Sequence, residues 1–167
     1  MLIPLQERLS LEDLIDPGLS VEFDLDGSGL QRRWGWITPK AGWLVFDPAR
    51  SGKITSGLQM VGGVTFWIFW QNGYEALAAL DNDRDGWLQG AELNGLAIWN
   101  DKNCNGISEP GEVRSLKDWG ITALSCDYQT HATGIPFNPT GVRFKNGSTR
   151  PSFDWISPGQ GVWSAKR

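Results

Sequence analysis

The sequence predicts one compact domain of the α+β class, in which a tandem pair of helix-flanked loops packs with short antiparallel strands and hairpins. Two acidic loops of the same pattern lie close together, at residues 81–92 and 101–112. Residues 74–80 are strong helix formers and predict a helix that enters the first loop. Short aromatic and β-branched runs, separated by Gly, Pro and Asn, predict the strands.

The other elements follow from helix and turn signals. Aromatic strands are predicted at 21–23, 34–37 and 43–46, and the apolar run 61–70 predicts a buried strand or helix. Helices are predicted at 92–99, where one short helix is shared by both loops, and at 110–119, where Gly120 ends it. A strand at 121–128 is then followed by a hairpin of 142–144 and 152–155 around a type I′ turn at Asn146-Gly147. Pro151 should confine the last strand to an edge.

Length and composition fit a single domain. The chain has 167 residues, 40% of them hydrophobic, with a net charge of -4, which is enough to bury a full core. Its predicted parts are an N-terminal extension 1–20, a loop-containing module 21–128, and a C-terminal hairpin and tail 129–167 of the same domain. Nucleic-acid binding is not expected without a basic stripe. No segment approaches the ~20 apolar residues of a membrane span.

The two complete loops have the ligand spacing of EF-hand calcium loops, with oxygen side chains at positions one, three and five, glycine at six and glutamate at twelve. The candidate ligands of the first loop are Asp81, Asp83, Asp85, the Trp87 carbonyl, a water held by Gln89, and Glu92. Those of the second loop are Asp101, Asn103, Asn105, the Ile107 carbonyl, Glu109 through a water, and Glu112. We therefore expect two Ca²⁺ ions, the first loop binding more tightly because it has four carboxylates against three. The alternative, a solvated turn-rich loop, does not require glutamate at position twelve.

Two further loops are incomplete. The loop at 24–35 has Asp24, Asp26 and Ser28 at positions one, three and five, but Gly35 replaces the glutamate. It is either a weak third metal site or a structural turn. The loop at 47–58 has no side-chain oxygen at positions three and twelve, which predicts a metal-free relic.

Cysteine, tryptophan and the N-terminus leave alternatives open. Cys104 and Cys126 could pair in an oxidising compartment or be two unrelated thiols. The ten tryptophans serve as core filler or as a binding platform. The first residues lack the pattern of a signal peptide, so the chain is either intracellular or has lost its signal.

The order of the motifs resembles a bacterial family of secreted proteins that contain EF-hands. The motifs that carry the resemblance are F-D-L-D-G-S-G, G-W-I-T, W-L-V-F-D, N-G-Y-E-A-L-A-A-L-D-N-D-R-D-G, A-I-W-N-D-K-N-C-N-G-I-S and L-K-D-W-G-I, within about residues 23–124. The best-known branch of that family is the calcium-dependent self-processing module of RTX (repeats-in-toxin) proteins. The resemblance implies an extracellular or periplasmic protein.

In that branch, calcium folds the module, which then cleaves an Asp-Pro bond ahead of its first loop and can join the freed aspartyl group to a lysine. This chain has Asp16-Pro17 at the corresponding place, although a few residues farther from the first of the four loops, and it lacks glycine-rich nonapeptide repeats. An aspartate carboxylate can attack its own carbonyl carbon, and the proline nitrogen is an easily protonated leaving group.

Three functional hypotheses follow. The first is a noncatalytic calcium-binding module, structural or extracytoplasmic, to which the sequence assigns no catalytic residue. The second is a self-processing module that cleaves at Asp16-Pro17 with Asp-Lys isopeptide formation. The third is a calcium or lanthanide sensor, which the short linking helix and the presence of only two Met disfavour. Any protein partner is unidentified at this level.

Overall fold

The computed structural model describes residues 1–159, and this part of the chain is mostly β-structure. Its strands are β1 (Leu2–Pro4), β2 (Ile15–Phe23), β3 (Arg32–Ile37), β4 (Ala41–Phe46), β5 (Trp87–Gln89), β6 (Leu96–Trp99), β7 (Val113–Ser115), β8 (Ile121–Ser125), β9 (Gln129–Thr130), β10 (Pro136–Phe144) and β11 (Thr149–Phe153). Its α-helices are α1 (Leu11–Leu14) and α2 (Gly73–Ala78). Single 3₁₀ turns lie at Gly57–Gln59, Thr65–Trp67, Gly90–Leu93 and Leu116–Trp119.

Nine strands form one curled antiparallel sheet in the order β5-β8-β10-β11-β1-β4-β6-β7, with β9 paired to β10. Strands β2 and β3 form a separate two-stranded sheet, which we call the β2–β3 ribbon. Strand β1, which comes from the predicted N-terminal extension, lies between β11 and β4 in the large sheet. The first residues of the chain are therefore part of the core of the domain.

The large sheet separates two hydrophobic clusters. Along β6, Leu96 and Ile98 face one cluster, whereas Ala97 and Trp99 face the other. This alternation is what a strand with both faces covered requires. Helix α2 packs into the first cluster, and the β2–β3 ribbon covers the second, which is rich in tryptophan.

The predicted α+β class with a tandem EF-hand helix pair is wrong. Residues 96–99, expected in the shared helix, form β6, because Leu-Ala-Ile-Trp pairs with β4 and β7 and all four side chains are buried. Gly95, with a φ of 87°, also breaks any helix that enters from the first loop. The predicted third helix is replaced by β7 and the 3₁₀ turn Leu116–Trp119, which Gly120 ends in the left-handed conformation as expected.

Other local predictions had mixed outcomes. The helix before the first loop is α2, capped by the Asn72 side chain, and the strands predicted at 21–23, 34–37 and 43–46 lie within β2, β3 and β4. The prediction of a type I′ turn is wrong. That turn requires a positive φ at both central residues, and Gly147 has one whereas Asn146 does not. Strand β11 is central rather than an edge, and Pro151 falls where its pairing with β10 shifts register.

The apolar run 61–70 forms neither a buried strand nor a long helix. It is a loop around one 3₁₀ turn, and the side chains of Trp67, Ile68 and Phe69 are exposed. Among the described residues, no helix is both long and apolar enough to cross a membrane.

Candidate metal centres and the Asp16-Pro17 segment

The two complete loops share one hydrogen-bond framework. The carboxylate at position one accepts from the backbone N–H at position six, at 2.9 Å from Gly86 to Asp81 and at 2.7 Å from Gly106 to Asp101. Position four and the glycine at position six both have positive φ in each loop. The two loops therefore have the same local backbone, with their acidic groups turned inward.

The glutamate at position twelve closes each loop. In the first loop Glu92 accepts from the N–H groups of Asn82 at 2.7 Å and Gln89 at 3.1 Å. In the second loop Glu112 accepts from the N–H groups of Lys102 at 2.9 Å and Glu109 at 3.1 Å. These are positions two and nine in both loops, so each glutamate carboxylate joins the beginning of its loop to the later part of it.

The first loop is open to solvent. Asp81, Asp83 and Asp85 have carboxylate oxygens within 4.8 Å of one another. A hydrogen bond from the Asp85 N–H lowers the pKa of Asp83, but desolvation and the charges of Asp85, Glu92 and Asp81 outweigh it and raise that pKa overall. Like charges held together in this way fit a bound cation, and a set of hard oxygen donors suits Ca²⁺.

The second loop is built into the tryptophan-rich cluster. The side chains of Asp101 and Glu112 are buried, with 0% and 4% of each residue exposed. Trp36 donates its indole Nε1–H to Asp101 Oδ2 at 2.7 Å, and Trp99 donates to Glu112 Oε2 at 3.3 Å. Burial is the main reason why the pKa of Asp101 is raised. Among the described residues, no ion pair neutralises either carboxylate.

The other predicted ligands gather at the mouths of the loops. In the second loop the amides of Asn103 and Asn105 donate to Glu109, at 2.8 and 3.3 Å. In the first loop Gln89 donates to Asp85 at 3.0 Å. The side chains at positions three, five and nine are therefore close together, as a common ion would require. The side chains at position seven point elsewhere, since Ile107 is exposed and the Trp87 ring is 3.4 Å from the Arg143 guanidinium carbon.

The incomplete loops keep only part of this framework. In each of them, the aspartate at position one accepts from the glycine N–H at position six, at 3.1 Å for Asp24 and 2.8 Å for Asp47. Asp47 also accepts twice from Ser51, so its oxygens are already occupied. In the loop 24–35, Arg32 Nη1 lies 3.1 Å from Asp26 Oδ2 and supplies a positive charge from the chain itself.

The Asp16-Pro17 bond lies in an exposed bulge of the β2–β3 ribbon. Asp16 pairs with Trp36 and Ser20 with Gly35, so residues 17–19 have no partner on β3. The Gly18 N–H donates to Asp16 Oδ1 at 2.7 Å. Burial is the main reason why the pKa of the Cys104 thiol is raised, with further contributions from the charges of Asp101, Asp16 and Glu112. Cys104 and Cys126 are both free thiols.

Sequence reasoning missed the two indole donors. The tryptophans were expected to serve as core filler or as a binding platform, and neither expectation identified Trp36 and Trp99 as hydrogen-bond partners of predicted metal ligands. The available signal was the N–H of a buried tryptophan, which usually finds a partner. Which tryptophan meets which carboxylate depends on pairing between distant strands.

Comparison with known proteins adds the family. The sequence profile of the SPM domain matches residues 12–154. The chain is also 34% identical over 112 residues to the iron-regulated protein FrpA of Neisseria meningitidis serogroup C, across 64% of this chain and 10% of FrpA. The chain therefore spans about a tenth of the length of that relative. The profile match, which extends over most of the sequence, shows that the chain belongs to the SPM domain family.

Proposed function

We propose that this chain is a calcium-binding module whose fold is stabilised by two Ca²⁺ ions, one in each complete loop. The observation that supports this most directly is the burial of Asp101 and Glu112 with neutral donors around them. Two buried carboxylates cost several kcal/mol of free energy when nothing positive offsets them. A divalent cation between them would supply that charge, and the donors match what Ca²⁺ prefers.

Calcium would act on stability by mass action. An ion that binds only the folded state adds RT ln(1 + [L]/Kd) to the free energy of unfolding, about 2.7 kcal/mol when free calcium is 100 times Kd. We place the module in an extracellular or periplasmic setting, where millimolar calcium would keep even weak sites filled. The proposal rests on the donor sets and, for the location, on the family resemblance.

The direct test is to strip the protein with chelator and titrate calcium back by isothermal calorimetry, with native mass spectrometry to count ions. Thermal unfolding is then followed with and without calcium. Two bound ions and a rise in Tm of several degrees are expected. No bound ion, or binding that leaves Tm unchanged, would contradict a role in stabilising the fold. A dye for exposed apolar surface separates this from a sensor, which would bind more dye with calcium.

A second candidate function is self-processing at Asp16-Pro17. The bulge leaves the bond exposed, and the hydrogen bond from Gly18 fixes one carboxylate oxygen of Asp16 close to the following backbone. The resemblance of the motifs to the self-processing branch of RTX proteins supports the same candidate. Asp47-Pro48 has no such freedom, since the Asp47 carboxylate is held by Ser51 and Gly52.

The chemistry balances without an added oxidant or reductant. An Asp16 carboxylate oxygen attacks the Asp16 carbonyl carbon, the bond from that carbon to the Pro17 nitrogen breaks, and the nitrogen leaves with a proton. The product on the N-terminal side is a cyclic anhydride. Water opens it to two carboxylic acids, whereas a lysine amine opens it to an isopeptide bond and one carboxylic acid.

Self-processing is tested by incubating the protein with calcium and analysing it by denaturing mass spectrometry. Denaturing conditions matter because β1 lies between β11 and β4, so a released peptide of residues 1–16 would stay paired in the native sheet. A fragment that begins at Pro17 is expected from the wild type and none from Asp16→Ala. Cleavage at Asp47-Pro48, or an intact chain after long incubation, would contradict the candidate.

A further inference from the structure

Trp36 is the residue that touches both the second loop and the Asp16-Pro17 segment. Its backbone is paired with Asp16 across the β2–β3 ribbon. Its side chain is fully buried, and the indole N–H donates to Asp101 Oδ2 at 2.7 Å. One rigid side chain therefore connects the strand position opposite Asp16 to the first ligand position of the second loop.

A second contact joins the same two parts. A Cβ placed on Gly106 would lie 2.9 Å from the Val21 Cβ and 3.4 Å from the Glu22 carbonyl oxygen, so the loop backbone packs directly against β2. Val21 and Trp36 lie on opposite sides of the bulge that contains Asp16-Pro17. The second loop thus contacts the ribbon on both sides of this bulge.

The first loop has different neighbours. It runs into β5, which pairs with β8 at one end of the large sheet, and Cys126 donates its N–H to Gly86 at 2.9 Å. The second loop connects β6 to β7 at the opposite end of the sheet. Of the two complete loops, the second is therefore the one that contacts the ribbon within the described part of the chain.

We propose that Trp36 is a positioning residue that couples the second loop to the Asp16-Pro17 segment. Asp101 would hold an ion bound in that loop, its carboxylate accepts from the Trp36 indole, and Trp36 is paired with Asp16 across the ribbon. Without the ion, the repelling carboxylates of Asp101 and Glu112 loosen the loop, and the bulge samples more conformations. The functional consequence of this coupling rests on the proposed self-processing, whereas the coupling itself is measured independently of it.

The test compares Trp36→Phe with Trp43→Phe. Both changes remove an indole from the same cluster, and the two rings are 5.3 Å apart. Trp43 Nε1 has no hydrogen-bond partner among the described residues, so its replacement removes volume and no hydrogen bond. The readouts are amide hydrogen exchange of residues 16–23 with and without calcium, calcium affinity by calorimetry, and the fragment that begins at Pro17.

In wild type and in Trp43→Phe, calcium should slow exchange across residues 16–23 at least tenfold. In Trp36→Phe, calcium should still bind, while this protection and the yield of fragment fall at least fivefold. Equal protection in the two variants, or none in wild type, would overturn the proposal. A wild type that shows protection and no cleavage would disprove self-processing and leave the coupling supported.

If Trp36→Phe fails to fold, a residue with the shape of tryptophan takes its place. Benzothienylalanine at position 36 exchanges the N–H for sulfur and keeps the size of the indole. It should reproduce the loss of calcium-dependent protection seen with Trp36→Phe. Full protection with this residue would overturn the role of the hydrogen bond.

Discussion

The two complete loops have the same backbone framework in different surroundings. Both place a carboxylate at position one on the N–H of position six, and both close with a glutamate on the N–H groups of positions two and nine. The first loop nevertheless holds its charges in solvent, whereas the second holds Asp101 and Glu112 in the core. The motif predicts which atoms face an ion, and the surroundings determine how strongly that ion is linked to folding.

The comparison bears on which loop matters more. Counting carboxylates predicts tighter binding by the first loop, and that order of affinity stays a prediction. Burial predicts that an ion in the second loop would contribute more to the free energy of unfolding than one in the first loop, because an empty second loop leaves uncompensated charge in the core. The following experiments test this distinction between the two loops.

The largest effect is expected from removing a position-one carboxylate. Asp101→Ala leaves the N–H groups of Trp36 and Gly106 without an acceptor in a buried site. We expect a loss of about 3 kcal/mol or more of unfolding free energy in saturating calcium. The matched change Asp81→Ala, in the exposed loop, should cost about 1 kcal/mol. Urea unfolding with calcium measures both, and equal losses would remove the distinction between the loops.

A smaller effect is expected from the second indole donor. Trp99→Phe removes the hydrogen bond to Glu112 while keeping an aromatic ring in the cluster. The variant Trp43→Phe measures the effect of losing ring volume alone. Relative to it, Trp99→Phe should lower the free energy of unfolding by a further amount of about 0.5–1.5 kcal/mol. If the two variants were equally stable in calcium, the indole bond to Glu112 would contribute nothing.

Terbium luminescence distinguishes the loops without changing stability much. Trp87 occupies position seven of the first loop, so its excitation should sensitise a terbium ion bound there. Trp87→Phe should remove most of the sensitised emission from the first loop, whereas Ile107→Val, at the same position of the second loop, should leave it unchanged. Undiminished emission from Trp87→Phe would show that the tryptophan cluster beside the second loop is the donor.

The smallest effect concerns the thiols. Burial raises the pKa of both, that of Cys126 to about 12, so each is protonated and a poor nucleophile at neutral pH. Both thiols should therefore react with iodoacetamide more slowly than a free cysteine. Cys104 lies within the second loop, so removing calcium with a chelator should increase its alkylation rate more than that of Cys126. Alkylation rates read by peptide mass spectrometry test this, with Cys104→Ser and Cys126→Ser as controls. A calcium effect confined to Cys126 would contradict the stronger coupling of the second loop to the core.

The sequence was informative where interactions are local. The pattern places glycine at position six of both complete loops, and Gly86 and Gly106 both have positive φ there, because the twelve-residue pattern specifies its own backbone. The helix predicted before the first loop is α2, but the helices predicted at 92–99 and 110–119 do not form, because the EF-hand template supplies them and this chain does not. A short apolar run such as 96–99 suits a strand or a helix, and here the partner Trp43, far away in the chain, determines the outcome.

The candidate site divides in the same way. The ligand positions could be read from spacing, but the contact of Trp36 with Asp101 joins residues 65 positions apart. The bulge at residues 17–19 likewise results from how β2 meets β3, since nothing in Asp-Pro-Gly specifies the register of a partner strand. Long-range pairing thus sets the coupling between parts whose chemistry the sequence already contains.

The pairing of Arg32 with Asp26 has a consequence for the loop 24–35. An exposed ion pair contributes little stability, but its positive charge is tethered to the chain, so its effective concentration does not depend on the solution. A chelator removes calcium from a site and cannot remove an arginine. We therefore expect the shape of this loop to be the same at every calcium concentration the protein meets.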